Sequence, residues 1–207
     1  MGALGRRLVF FIMVIIDNFV RDISLIEEMQ NARYWDSIHS YKWLDNSSIV
    51  NNSDLAIRLV NYIWKEYCPL KINLSSVEGF EYWTGLYEAG DRREKKDLDD
   101  NLFYHLFRHH DKDEKEWQTS GNLICPLIGT VFYPHKDNDF VKGGDLKIWE
   151  TKESPITGQS FELIRPKFNR LVIFDPSYLH GVTMVTEGTR RAIAINLWQN
   201  KPSTFLS

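Results

Sequence analysis

The sequence predicts a mainly β fold with helices confined to its N-terminal third. From Phe80 onward the chain breaks into short segments rich in aromatic and β-branched residues, separated by polar or glycine-containing turns. So many strands in about 120 residues favour a two-sheet sandwich or a barrel over a parallel α/β sheet. Before that point the pattern is different, reading as one strand followed by two helices.

The apolar run Leu8 to Ile16, preceded by Arg6 and Arg7, is too short to span a bilayer and has no small-residue cleavage site before Asp17. Its β-branched composition fits a buried strand. Ser24 with Glu27 fits a capping box opening a helix that runs through about Arg33. Ser53 precedes a stripe of Leu55, Leu59, Val60, Ile63 and Trp64, a second helix that must stop near Cys68 because Pro69 follows. Strands are then expected at Phe80 to Leu86, Leu102 to His109, Pro126 to Tyr133, Asp145 to Trp149, Phe161 to Ile164, Leu171 to Phe174 and Arg191 to Leu197. Between the first two, Asp91 to Asp100 carries Arg92, Arg93, Lys95 and Lys96 among its acids. Such mixed charge reads as a solvated loop, with a mobile lid over a pocket as the alternative. Gly143-Gly144 permits a tight turn and lacks any phosphate-loop context.

At 207 residues the chain is expected to form a single domain, residues 1–78 giving a strand and supporting helices and 79–200 the β core. A net charge of −3 offers no global attraction to nucleic acid or anionic membrane. Two cysteines, Cys68 and Cys125, exclude a disulfide framework and a Cys-rich zinc site, and fit a reducing, cytoplasmic setting.

The chemistry-bearing feature is His180 followed ten residues later by Arg190, an imidazole and a cation at an interval that can serve one chelating acid. Two imidazoles and one carboxylate would complete a facial triad, which suits non-haem Fe(II) and leaves positions open for a co-substrate and O₂. Two His-x-Asp strings are available: His109-His110-Asp111 and His135-Lys136-Asp137. Either could aim both ligands at one metal, since residues i and i+2 of an extended segment share a face. Connection geometry favours the upstream pair, because only a short loop separates His135 from Gly143 and the acids there are natural turn formers. His105 is expected in the core and His110 to face away from the metal. Trp83, Trp117 and Trp149 are expected as core or rim aromatics. Arg191 should point opposite to Arg190, toward the surface or a sheet edge.

The ordered set RHHD (Arg108 to Asp111), LIGTVFYPH (Leu127 to His135), GGDLKIW (Gly143 to Trp149), IRPKFNRLVIFD (Ile164 to Asp175), LHGV (Leu179 to Val182) and GTRRAI (Gly188 to Ile193) resembles the Fe(II)- and 2-oxoglutarate-dependent dioxygenases, prolyl-hydroxylase-like branch. The resemblance covers Arg108 to Trp198 and implies a double-stranded β-helix, the jelly-roll form of a sandwich, backed by packed helices. It implies iron on His109, Asp111 and His180, with Arg190 and the Tyr133 hydroxyl on the far carboxylate of 2-oxoglutarate. O₂ would be the second co-substrate and ascorbate an optional reductant. The implied activity is hydroxylation of a peptidyl proline or another side chain, of a protein, peptide or small molecule, with release of succinate and CO₂. The chain departs from the pattern at Asn196, where many relatives carry Trp, although Trp198 lies on the same strand face. Two rival readings are a non-catalytic jelly-roll binding module and a nucleic-acid demethylase of the same superfamily. The acidic net charge disfavours nucleic acid.

Overall fold

The computed structural model describes residues 13–35, 41–49, 54–67, 69–91, 95–154 and 156–206. Thirteen strands are found among these residues: β1 Met13–Asp17, β2 Lys42–Asp45, β3 Gly79–Glu88, β4 Lys95–Lys96, β5 Phe103–His109, β6 Ile128–Tyr133, β7 Lys142–Gly143, β8 Leu146–Trp149, β9 Phe161–Ile164, β10 Arg170–Phe174, β11 His180–Thr183, β12 Val185–Glu187 and β13 Thr189–Trp198. They form two principal antiparallel sheets, ordered β1-β10-β6-β13-β3-β2 and β4-β5-β11-β8-β9, and a small ribbon of β12 and β7. This is the jelly-roll class. The expected strands are all present with ends shifted by one or two residues, and β2, β4, β7, β11 and β12 are additional.

Four α-helices accompany them: α1 Ile23–Gln30, α2 Ala32–Trp35, α3 Leu55–Val60 and α4 Glu114–Ser120. Ser24 does not cap α1. Asp22 does, its carboxylate accepting from the Ser24 and Leu25 amides, because an ionised acceptor at the first turn also complements the helix dipole. The helix ends at Gln30, not Arg33, and α2 restarts after one residue. Ser53 lies outside the described residues; Asp54 caps α3 by accepting from the Ala56 amide. Beyond Val60 the helix widens into π turns over Asn61–Tyr67, where successive Tyr62, Ile63 and Trp64 are all buried.

Of the apolar run Leu8 to Ile16, the part from Met13 onward is described, and it forms β1. It is half-exposed rather than buried, because it lies at the sheet edge with β10 as its one neighbour. No helix among the described residues is long and apolar enough to cross a membrane.

Strand alternation on β13 determines which face does what. Ile193, Ile195 and Leu197 point to one side and pack with Phe80, Tyr82, Phe132 and the buried residues of α1 and α3. Arg190, Ala192, Ala194 and Asn196 point the other way and line a cavity. Helices α1, α2 and α3 thus cover one face of the larger sheet and leave the opposite face free to build a site.

The charged segment is not simply solvated. Residues 92–94 are not described, but Asp97 is buried at 1% exposure, with its carboxylate 3.2 Å from the Arg108 guanidinium, and Asp99 lies 2.5 Å from the same group. Asp100 accepts from Tyr104 and from Lys147 Nζ, the lysine itself 1% exposed. A buried Lys147 needs a carboxylate nearby, and this requirement overrides the solvation of a charge run. Asp97→Ala is expected to lower stability by about 2 kcal/mol, since Arg108 loses a buried partner while keeping Asp99. Urea unfolding of wild type and variant would measure it, and equal midpoints would refute the assignment.

Candidate active site

His109 ends β5 and His180 begins β11, and the two are direct cross-strand partners. A separation of 71 positions in sequence therefore collapses to ring centroids 4.5 Å apart. The strands come this close because Gly181 follows His180, where an added Cβ would sit 2.8 Å from the Leu106 carbonyl oxygen. Asp111, two residues past His109, completes the group. His109 Nε2 lies 3.4 Å from its Oδ1 and His180 Nε2 3.5 Å from its Oδ2.

One donor atom from each of His109, Asp111 and His180 lies within 4.8 Å of the others. The two imidazole-to-carboxylate distances approach the ~3 Å separation of neighbouring ligands around an ion bound at about 2.1 Å. Each ring is also held in the right tautomer. His109 Nδ1 is 2.8 Å from the Phe107 carbonyl and His180 Nδ1 is 2.9 Å from the Tyr178 carbonyl. A carbonyl can only accept, so each Nδ1 carries a proton and each Nε2 is the free, inward-facing atom. The donor set and its support fit a divalent transition metal such as Fe(II).

Burial raises the Asp111 carboxyl, but the His180 charge and the hydrogen bonds from both imidazoles outweigh it and hold the acid far below its ordinary range. For His180, burial pushes the pKa down and Asp111 pushes it up, with a net rise. Asp111 and His180 thus each favour the other's charged form.

The downstream pair makes no such cluster. His135 precedes a 3-10 turn, Lys136–Phe140, and its Nδ1 is 3.3 Å from Asp137, whose carboxylate is shared with Arg191 at 2.8 Å. Arg191 does point away from Arg190, as alternation requires. His110 turns aside to the Ser177 carbonyl at 3.0 Å. His105 is buried and stacks on Tyr87 at 5.2 Å. Trp149 is buried in the core, Trp83 lines the cavity and Trp117 is surface-exposed beside Lys112.

From the triad, a small cavity of about 50 Å³ runs between the sheets to Arg190. Its width comes from small residues facing each other on β3 and β13, Gly85 opposite Ala192, with Ala194 opposite Trp83. Arg190 is 3% exposed. Its Nε donates to the Gly144 carbonyl at 2.9 Å and its Nη2 to the Tyr133 hydroxyl at 3.3 Å. Gly144 is required there: φ is +67°, and a Cβ would come within 3.0 Å of Arg190 Cδ. The rings of Tyr87 and Tyr133 flank the guanidinium at 5.6 and 5.2 Å. Among the described residues, no carboxylate forms an ion pair with Arg190. A buried guanidinium with no such partner there, at the closed end of a cavity, calls for an anionic ligand.

The cavity's other end opens into a cleft of about 540 Å³, lined by Tyr41, Glu81, Trp83, Phe107, Glu114 and Phe205 around His109 and Asp111. Glu81 carries a signal that sequence patterns did not single out. Its Oε2 accepts from Asn196 Nδ2 at 3.3 Å and Trp198 Nε1 at 3.1 Å, so the departure at Asn196 and the nearby Trp198 serve one carboxylate. Burial, aided by the negative charge of Asp111, pushes the Glu81 carboxyl up from 4.5 to about 7. A carboxyl with a raised folded pKa costs stability progressively as pH rises from 4.5, and the full cost stands above 7. Metal-free Glu81→Gln should therefore melt higher than wild type at pH 8, with the gap closing toward pH 4.5. A gap independent of pH in thermal melts would contradict this.

Fold and site together define a jelly-roll protein with a His/Asp/His cluster opening onto a buried arginine. Residues 102–199 match the family model described as 2OG-Fe(II) oxygenase superfamily. That match spans just under half of the chain and takes in the His/Asp/His cluster and Arg190. No curated protein matches the sequence. The fold is similar to that of a Pseudomonas putida prolyl-4-hydroxylase, with a TM-score of 0.59 and 15% identity over 94% of this chain and 96% of that one. It is also similar to a viral collagen prolyl hydroxylase from Paramecium Bursaria Chlorella virus-1, with a TM-score of 0.50 and 15% identity over 89% and 87% of the two chains.

Proposed function

We propose that this chain, as one domain in the cytoplasm, hydroxylates a peptidyl proline or another side chain of a protein or peptide, consuming 2-oxoglutarate and O₂. One observation carries the reading: a convergent His109–Asp111–His180 cluster shares a cavity with an arginine that has no ion-pair partner among the described residues. The fold's likeness to two prolyl hydroxylases supports the choice of reaction.

On this reading His109, Asp111 and His180 hold Fe(II), the carboxylate offsetting part of its charge. Bound there with 2-oxoglutarate, the iron supplies the activation of O₂ for C–H hydroxylation, with succinate and CO₂ as by-products. The chain's own residues do the positioning. Arg190 takes the far carboxylate of 2-oxoglutarate through the guanidinium edge left free by Gly144 and Tyr133, and Tyr133, whose oxygen already accepts from Arg190, has its O–H left to donate to the same carboxylate. Gly85, Ala192 and Ala194 leave the width for the acid's short chain. Walls of Val131, Leu146, Phe174 and Val182 exclude water and strengthen the Arg190 interaction.

Purified protein supplied with Fe(II) and 2-oxoglutarate should release succinate. A structure with Mn(II) and N-oxalylglycine should seat the metal on the three side chains. If 2-oxoglutarate fails to bind in the presence of metal, the reading is wrong.

A further inference from the structure

We propose that the outer cleft selects its peptide through a cationic side chain, lysyl or arginyl, that pairs with Glu81; this deepens the hydroxylase reading and rests on it. Glu81, Trp83, Gly85 and Tyr87 alternate along one face of β3, so the strand runs from the cleft mouth to the cavity floor beneath Arg190. Glu81 stands at the mouth, lining the outer cleft but not the inner cavity.

Three features make this carboxylate a receptor for a cation. Both of its donors, Asn196 and Trp198, converge on Oε2, and among the described residues none donates to Oε1. The cations of the same cleft are already engaged: Arg108 pairs with Asp97 and Asp99, and Lys112 with Glu114 at 2.8 Å. His110, also in the cleft, is turned to the Ser177 carbonyl at 3.0 Å. Asp111 is already held between His109 and His180, and Asp113 accepts from the Glu116 and Ser203 amides, so Glu81 is the acid left to meet an incoming cation.

Aromatic surface completes the fit. Trp83 and Tyr41 lie with ring centroids 5.3 Å apart and planes 30° apart, and Phe107 and Phe205 line the same space. Aromatic faces attract ammonium and guanidinium groups and cover the aliphatic stems that carry them. About 540 Å³ accommodates a long side chain with its flanking peptide units. A cation seated on Glu81 fixes the register in which the peptide crosses His109 and Asp111.

The test uses the full chain loaded with Mn(II) and N-oxalylglycine, titrated with acetyl-Ala-Pro-Xaa-Ala-Gly amides in which Xaa is Lys, Arg, Nζ-acetyl-lysine, norleucine or Glu. Lys and Arg peptides should bind wild type about tenfold or more tightly than the acetyl-lysine and norleucine peptides. Glu81→Gln should reduce that preference to under about twofold while still binding N-oxalylglycine, and Glu81→Lys should favour the Glu peptide. Equal binding of charged and neutral peptides to wild type, no binding of any, or a preference that survives Glu81→Gln overturns the proposal. The Lys against acetyl-lysine comparison needs no variant, so a poorly folding mutant does not remove the test. Wild type that binds neither Mn(II) nor N-oxalylglycine sinks the hydroxylase reading and this inference together. Wild type that binds both, yet ignores charge, sinks this inference alone.

Discussion

Replacing His180 with alanine is expected to eliminate metal-dependent succinate release and to weaken Fe(II) or Mn(II) binding by more than about a hundredfold. His180 is 4% exposed, its ring fixed by the Tyr178 carbonyl, so no solvent-borne ligand replaces it in the same position. Asp111→Ala should be equally severe for a different reason. It removes the one negative charge among the three donors and leaves His109 and His180 with no anion between them. The pH dependence has a definite sign. Asp111 raises the His180 pKa, so metal must displace a proton below that value, and affinity should rise as pH climbs through it. Calorimetry in two buffers of different ionisation enthalpy would show proton release on binding. Tight metal binding retained by either alanine variant would refute the triad.

Much of this site was visible in the sequence because its spacings are strand spacings. His109 and Asp111 stand two apart at the end of β5, and Arg190 follows His180 by the length of two short strands and a turn. Alternation alone separated Arg190 from Arg191. The cross-strand pairing of His109 with His180 was not visible, because β11 has four residues and begins at the histidine itself, too short for a period to register. The two-residue strands β4 and β7 were invisible for the same reason. Helix α4 escaped notice because Trp117 is its one apolar residue and it buries none, so it is set by the Asp113 cap rather than by an apolar stripe. The cap of α1 is two residues from the expected one, since Asp22 and Ser24 are both good caps and the charge of Asp22 on the helix dipole, together with the packing of Leu25, Ile26 and Met29, chooses between them. Glu81 gave no signal because a lone glutamate in a strand reads as solvent-facing. Its burial is a property of the cleft, and its partners Asn196 and Trp198 lie more than a hundred positions away.

Arg190→Met is expected to abolish 2-oxoglutarate binding while leaving the metal site whole. A carboxylate drawn into the closed end of the cavity loses its charge partner, a penalty of about 3–5 kcal/mol, or roughly a hundred- to several-thousandfold in affinity. The fold should survive. Without ligand the wild-type guanidinium is itself a buried charge with no ion-pair partner among the described residues, and methionine has a similar length and fits the apolar surroundings of Tyr87, Val185 and Ala192. The Gly144 carbonyl loses a donor, which offsets part of that relief. The melting temperature of the metal-free variant should therefore stay within a few degrees of wild type, whereas the stabilisation that N-oxalylglycine gives the Mn(II)-loaded wild type should vanish. Arg190→Lys separates charge from geometry: a single ammonium cannot donate to Gly144, meet Tyr133 and grip a carboxylate with two bonds at once, so binding should be weakened but retained. The split is read in thermal shifts with and without N-oxalylglycine. If Arg190→Met still responds to the ligand while His180→Ala does not, the acid is being held elsewhere, and Arg190 is a structural cation of the sheet.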